Sequence, residues 1–198
     1  MFELTGGGDF DRAPASGHPH DGAAYCMRCG QRLARESIAG RRDAFVCLNC
    51  GFLHEFRPRP CAGVLPIRDG RALLVRRDIE PRHGFWQVPG GFMEMGESVQ
   101  EAAAREAREE ANVELDPPSL ELLTVVSAPR HSLVVVSFSG PTRSEGEAGH
   151  EVIEIGWFAP AEIPWRELAF DSTEAPLREW LRRQGIEPPA AWFTNWES

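Results

Sequence analysis

Residues 91–113 read GFMEMGESVQEAAAREAREEANV, and this stretch decides the fold. Pro89, Gly90 and Gly91 lead into it as a turn that a strand cannot cross as regular ladder. After a short loop, Ser98 is followed three residues later by Glu101. That pairing is a capping box, so a helix is expected over about residues 98–111. Its body is rich in Ala, Glu, Arg and Gln, which suit a helix. Asn112 marks its end, because asparagine tolerates the left-handed backbone that commonly closes a helix.

Glu106, Glu109 and Glu110 stand at i, i+3 and i+4 and therefore leave the helix on one side. Like charges at this spacing destabilise a helix by a few tenths of a kcal/mol per pair, about 0.2–0.5. Arg105 and Arg108 offset part of this. For an arbitrary acidic run, a solvated, salt-bridged face is the better reading. The glycine-rich loop ahead of the helix shifts the balance toward a site for a hard divalent cation. Mg²⁺ takes oxygen ligands and is usually held by a few carboxylates together with substrate phosphates. Glycines let a backbone approach a ligand closely, and Glu97 is placed to pair with Arg105 and fix the loop against the helix.

The stretch resembles the Nudix box, G-x5-E-x7-R-E-U-x-E-E-x-G-U, where U is aliphatic. Gly91, Glu97, Arg105, Glu106, Glu109 and Glu110 fall on the invariant positions, and Ala107 and Val113 on the aliphatic ones. Asn112 stands where the family has glycine, a departure that a positive φ accommodates. The resemblance implies an α/β/α sandwich around a mixed sheet and hydrolysis of a nucleoside diphosphate linked to a second moiety. It further implies Mg²⁺ (or Mn²⁺) held by Glu106, Glu109 and Glu110, with the carbonyl of Gly90 as an added ligand. Gly91, Glu97 and Arg105 would be structural. The general base is left between Glu106 and a glutamate beyond the box. Of the two offered by GHEVIEIGWF, Glu151 is preferred over Glu154 as base or extra ligand, with a plain surface charge as the even alternative.

The 198 residues are enough for one ordinary domain and a small module, and 42% hydrophobic content supports a packed core. The net charge of −9, with arginine supplying the positive charge, argues against general nucleic-acid binding. No apolar run approaches membrane-spanning length. The N-terminus has neither a basic n-region nor an apolar h-region, so it is not expected to be a signal peptide, and a cytoplasmic location is the default. Four of the five cysteines form Cys26-x2-Cys29 and Cys47-x2-Cys50, the spacing of a ribbon holding structural Zn²⁺. Such a module is too small for its own core, so the metal should supply its folding free energy. Cys61 reads as a small buried residue.

The expected organisation is a mobile tail over 1–24, a zinc ribbon over 25–58, the Nudix domain over 59–185 and a C-terminal tail over 186–198. His18 and His20 in the first tail read as solvated. Short strands are expected at Leu33–Ser37 and Ala44–Cys47 of the ribbon, and Arg57-Pro58-Arg59-Pro60 reads as a stiff linker. Further strands are expected at 61–67, 71–77, 86–88, 120–128, 132–139 and 152–159, with an Asp69-Gly70 hairpin turn. A second helix is expected over 172–184, capped by Ser172 and stopped by Gly185.

A cysteine ribbon ahead of a Nudix domain is similar to two subgroups. NADH pyrophosphatases carry S-Q-P-W-P-F-P-x-S after the box, and this chain has SAPRHSLVVVSF in that region. The runs IEPRHGFWQVPGGFMEMGES and LAFDS resemble instead the group that includes FAD and ADP-ribose pyrophosphatases. NADH, a capped RNA end, or a non-catalytic ligand sensor are the alternatives. Phe85 and Trp86 are candidates for stacking on a base or isoalloxazine ring, with a core role the weightier option. Trp192, Phe193 and Trp196 in the last segment should dock on the domain or on a partner chain, and the resemblance implies a homodimer.

Overall fold

The computed structural model describes residues 25–32, 36–37, 44–55 and 57–190. The tail carrying His18 and His20, and the aromatics Trp192, Phe193 and Trp196, lie outside the described residues. The chain divides into two compact units. One runs up to Pro58 and takes in Pro129–Ser132, and the other comprises Arg59–Ala128 and Leu133–Ser198.

In the first unit β1 (Glu36–Ser37), β2 (Ala44–Val46) and β3 (Leu53–Glu55) form a small antiparallel sheet in that order. Two knuckles of the same form flank it. Gly30 donates its N–H to the Cys26 carbonyl at 2.8 Å, and Gly51 does the same to Cys47 at 2.8 Å. Both glycines have φ +70°, the left-handed conformation that turns the chain back on its cysteine pair.

The second unit is built on a mixed sheet. Its strands are β4 (Arg59–Arg68), β5 (Arg71–Arg77), β6 (Trp86–Gln87), β7 (Gly90–Phe92), β8 (Glu121–Ala128), β9 (Leu133–Pro141) and β10 (Val152–Phe158). The order is β10-β5-β4-β9-β8, with β6 on β5 and β7 on β4. β4 and β9 run parallel, and the other pairs are antiparallel. The β4–β5 hairpin turns at Asp69 and Gly70, with φ +51° and +72°. Both central residues in the left-handed region make the turn whose twist matches its strands.

Alternation along the strands sorts side chains to two faces. Ala62 and Val64 of β4 pack with Ala102, Ala103, Ala107, Leu120 and Phe138 under α1 (Val99–Ala111). Leu65, Ala72 and Leu74 face the other way, onto Trp86, Leu177, Trp180 and Leu181, the last three from α2 (Asp171–Arg183). The result is a helix on each face of a mixed sheet, an α/β/α sandwich. Among the described residues no helix is long and apolar enough to cross a membrane.

α1 starts on a full capping box: Ser98 Oγ accepts from the Glu101 N–H, and the Glu101 carboxylate accepts from the Ser98 N–H at 2.7 Å. It closes on Asn112 at φ +50°, ψ +39°, whose N–H reaches the Ala107 and Arg108 carbonyls. The side chains buried by α1 are all alanines, Ala102, Ala103, Ala107 and Ala111. Small side chains on that face let the helix lie close to the sheet.

Three local expectations differ from the structure. Gly90 and Gly91 are strand residues, not a turn, because after β6, paired with β5, the chain goes on to pair with β4 as β7. Arg59 and Pro60 belong to β4, with Pro60 opposite Val134, so the linker ends at Pro58. The N-cap of α2 is Phe170 with no side-chain hydrogen bond, and Ser172 sits inside the first turn. Acidic Asp171 and Glu174 lie there, where the helix dipole favours negative charge.

Candidate active site

The carboxylates of α1 meet the second unit's sheet at β7. The Gly90 N–H donates to Glu110 Oε2 at 3.0 Å, and the Gln87 side-chain amide donates to Oε1 at 3.3 Å. A Cβ on Gly91 would lie 2.6 Å from Glu106 Oε1, and one on Gly90 would lie 2.7 Å from the Ala62 carbonyl oxygen. The backbone contact requires glycine at position 90, and at position 91 any side chain would displace the Glu106 carboxylate. The two glycines therefore bring bare backbone against two carboxylates.

Arg105 ties the loop to the helix. Its Nε and Nη2 donate to Glu97 at 3.1 and 2.9 Å, and Nη2 also reaches the Phe92 carbonyl at 3.0 Å. Nη1 spans Glu106 at 2.8 Å and Glu109 at 3.1 Å. Arg105 and Glu97 side chains are each only 15% exposed, so this ion pair is shielded and persistent. The Arg105 hydrogen bond, followed by the Glu94 amide, holds the Glu97 carboxyl below its ordinary value.

Glu110 is held in the opposite direction. Burial pushes its carboxyl up to about 8, against the Gly90 amide, and the negative charges of Glu106 and Glu151 add to the rise. Burial likewise raises Glu106, with Arg105 opposing. These are part-buried acids with less compensating positive charge than ionisation needs. Arg77 is the nearby cation: 8% exposed, it is pushed down by burial and supported by Glu110, Glu151 and Glu80.

Glu151 reaches this cluster through a loop that docks on the end of α1. The N–H groups of Glu147, Gly149 and His150 donate to the Ala111, Glu110 and Glu109 carbonyls at 2.8, 2.9 and 3.3 Å. They satisfy carbonyls that the helix end leaves open. A Cβ on Gly149 would fall 1.9 Å from the Glu109 carbonyl oxygen, so the crossing needs glycine. Glu151 follows at φ +62°, its carbonyl accepting the Asp78 N–H at 2.9 Å and its side chain 48% exposed. Sequence reading singled out Glu151 but missed Gly149, Arg77 and Gln87. A glycine in a polar loop and an arginine at a strand end carry no distinguishing local pattern.

The two candidate substrate residues separate. Trp86 is 8% exposed and packs edge-on to Phe158 at 5.0 Å, so its ring belongs to the core. Phe85 is half-buried, with the Arg82 guanidinium 5.4 Å above its ring. Glu154 pairs with Arg76 at 2.7 Å on β10.

The carboxylates fit a cation in donor type. Oxygen donors, a part-buried acid with a raised pKa, and glycines that clear the approach suit Mg²⁺ or Mn²⁺. Their convergence is incomplete, since Glu109 is turned to Arg105 and is 51% exposed. Among the described residues, Cys26, Cys29, Cys47 and Cys50 are the set whose donor atoms all lie within 4.8 Å of one another. Their sulfurs approach to 3.7 Å in the pairs Cys26–Cys50 and Cys29–Cys47. A tetrahedron with Zn–S of about 2.3 Å has sulfur–sulfur edges of ~3.8 Å, so the cluster has the dimensions of a zinc site. The Gln31 backbone amide, then the Asn49 side chain, draw the Cys29 thiol down to about 6. A buried His54 places Nε2 3.3 Å from Cys26 Sγ, within hydrogen-bond reach of the cluster.

An α/β/α sandwich that seats a glutamate helix on two glycines defines a class of hydrolase, and the comparisons place the chain in it. The NUDIX domain model matches residues 57–182. The chain belongs to the Nudix family and is a hydrolase of that family. It is 34% identical over 169 residues to the ADP-ribose pyrophosphatase of Methanocaldococcus jannaschii, covering 81% of this chain and 97% of that protein. It is 28% identical over 144 residues to the NAD-capped RNA hydrolase NudC of Yersinia enterocolitica, covering 71% of this chain and 52% of that one. The chain thus spans nearly all of the first relative and about half of the second. The crystal structure of a NUDIX hydrolase from Nitrosomonas europaea superposes with a TM-score of 0.75 at 31% identity, covering 83% of this chain and 94% of that one.

Two outcomes are expected. Purified protein should carry one Zn²⁺ per chain by elemental analysis, and Cys26→Ser should lower that content. Metal-free preparations with native stability would overturn the assignment. The second outcome follows from Glu110, whose folded pKa of about 8 lies above the ordinary carboxyl value of 4.5. A raised folded pKa contributes stability that is fully present below the unfolded value and lost as pH rises through about 8. A cation competes with that proton. Added Mg²⁺ should therefore raise Tm more at pH 8.5 than at pH 5.5. Equal shifts at the two pH values would show that Glu110 does not meet the cation.

Proposed function

We propose that this Nudix hydrolase cleaves the diphosphate bond of a nucleoside diphosphate linked to a second moiety, with ADP-ribose or FAD as substrate and AMP as one product. The observation that carries the reading is Glu110, a part-buried carboxylate with a raised pKa, held by Gly90 on a helix that also presents Glu106 and Glu109. Glu106, Glu109, Glu110 and the Gly90 carbonyl would hold Mg²⁺ (or Mn²⁺). Bound there, the cation would neutralise the diphosphate and lower the pKa of the attacking water. Arg105 and Glu97 keep the glycine loop against the helix, so the carboxylates stay aimed when substrate arrives.

Glu151 takes the proton from the attacking water in this reading. Its charge acts on both Glu110 and Arg77, and its half-exposed side chain is reachable by solvent. Glu106 is the second candidate, although Arg105 already engages one of its oxygens. Phe85 keeps the stacking role for a base, since Trp86 is committed to the core. The resemblance also supports a homodimer. A monomer mass by light scattering at micromolar concentration would remove that part of the reading.

The choice of ADP-ribose rests on the relative of that name, which this chain covers over 97% of its length. The NudC relatives support a second reading, an NAD-type dinucleotide or an NAD-capped RNA end, over about half of their length. Rates on ADP-ribose, FAD, NADH and NAD-capped RNA at saturating Mg²⁺ separate the two through kcat/KM. ADP-ribose or FAD is expected to lead, and a tenfold advantage for NADH, about 1.4 kcal/mol, would reverse the choice. Glu110→Gln should retain the fold by circular dichroism and lose more than about a hundredfold in kcat/KM, ~2.7 kcal/mol. Wild-type turnover by that variant would sink the metal reading.

A further inference from the structure

Glu110 is oriented from outside its own helix. Each of its oxygens receives one donor, Gly90 N–H on Oε2 at 3.0 Å and Gln87 Nε2 on Oε1 at 3.3 Å. Gln87 is 8% exposed, so no bulk water competes for its amide. On the far side of that amide, Arg77 Nη1 donates to Gln87 Oε1. A guanidinium offers donors alone, so Arg77 requires the amide oxygen of Gln87. The amide therefore has one workable orientation: oxygen to Arg77, NH₂ to Glu110. A flipped amide would set NH₂ against guanidinium and forfeit the hydrogen bond to Arg77.

Arg77 is itself held on several sides. Its Nε donates to the Pro81 carbonyl at 2.9 Å, and its guanidinium lies 5.1 Å from the Phe170 ring centroid. Its backbone N–H donates to Phe85 at 2.9 Å, and its carbonyl accepts from Gly84 at 2.8 Å. In β5 it pairs with Val152, the neighbour of Glu151. The guanidinium is thus fixed by β5, the 78–85 loop and the start of α2, while Gln87 transmits its position to Glu110.

We propose that Arg77 and Gln87 are positioning residues that act in series, fixing the amide orientation of Gln87 and through it the carboxylate of Glu110 that meets the divalent cation. The inference rests on the reading of Glu110 as a cation ligand. Neither Arg77 nor Gln87 touches the cation or the substrate. Their effect is to leave each Glu110 oxygen with one fixed donor and its remaining acceptor capacity directed into the site. Outer partners of metal ligands commonly change metal affinity by about 10–100-fold when removed.

The test uses the full-length, zinc-loaded protein and Mn²⁺ as probe, with free Mn²⁺ followed by electron paramagnetic resonance. Wild type, Glu110→Gln, Gln87→Met, Arg77→Met and the Arg77→Met/Gln87→Met double variant are compared, with Tm and steady-state kinetics alongside. Gln87→Met removes the donor at similar size and leaves the contacts of Arg77 with the 78–85 loop in place, so it stays informative if Arg77→Met unfolds. We expect Gln87→Met to weaken Mn²⁺ binding about tenfold or more and to lower kcat, with KM for substrate nearly unchanged. The double variant should lose no more than the worse single variant, as residues acting in series do. Wild-type Mn²⁺ affinity in Gln87→Met, with or without a lower Tm, overturns the relay; if Glu110→Gln has lost affinity in the same experiment, the cation reading stands without it. Wild-type affinity in Glu110→Gln overturns both.

Discussion

The second unit depends on how closely a helix bearing three glutamates can lie on a strand. α1 buries only alanines, so its axis sits near the sheet. At β7 the chain supplies Gly90 and Gly91, where any Cβ would meet Ala62 and Gly63 on one side or the Glu106 carboxylate on the other. The approach takes Glu110 out of water and gives it a backbone donor. Desolvation outweighs that single hydrogen bond, and the carboxyl is raised to about 8. In the proposed reading, a part-buried acid in this state would gain free energy from a cation that replaces its proton, and that gain would trace to the packing of small residues.

The same helix end organises the second carboxylate. The open carbonyls of Glu109, Glu110 and Ala111 accept N–H groups from the loop before β10. Gly149 makes the crossing possible, and Glu151 is delivered two residues later. One loop therefore completes the helix cap and brings a further negative charge to the site. Arg77 balances part of the charge from β5. Arg105 does the opposite work on the outer side, holding Glu106 and Glu109 through one nitrogen while it grips Glu97. The site is a set of carboxylates with a cation on either side and an acid between them that is hard to ionise.

The first unit follows a separate logic. Its described strands are two or three residues long and cannot bury a core. Cys26 and Cys47 are nearly fully buried instead, and the sulfurs stand at the spacing of a tetrahedral zinc site. His54, packed edge-on to Phe52 at 4.9 Å, sets its Nε2 in hydrogen-bond contact with Cys26 Sγ. Four cysteines would fill the coordination of such an ion and leave no position open for a substrate, as in a structural site.

By itself the sequence determined whatever local geometry controls. Ser98 with Glu101 marked the start of α1, Asn112 its left-handed end, and Asp69-Gly70 the hairpin, because each conformation is set within a few residues. The spacing of the glutamates and of the two cysteine pairs was equally legible, since helical period and knuckle length are local quantities. Tertiary structure alone decided the rest. The β7 pairing of Gly90 and Gly91 is forced by β4, whose residues lie nearly thirty positions earlier. Trp86 could be assigned to the core only once Phe158 and α2 were in place. Arg77, Gln87 and Gly149 had no signature because their roles are relations to Glu110 and to the end of α1. A hydrogen bond between side chains on different strands and helices depends on register and packing, and neither is written in any short window of the chain.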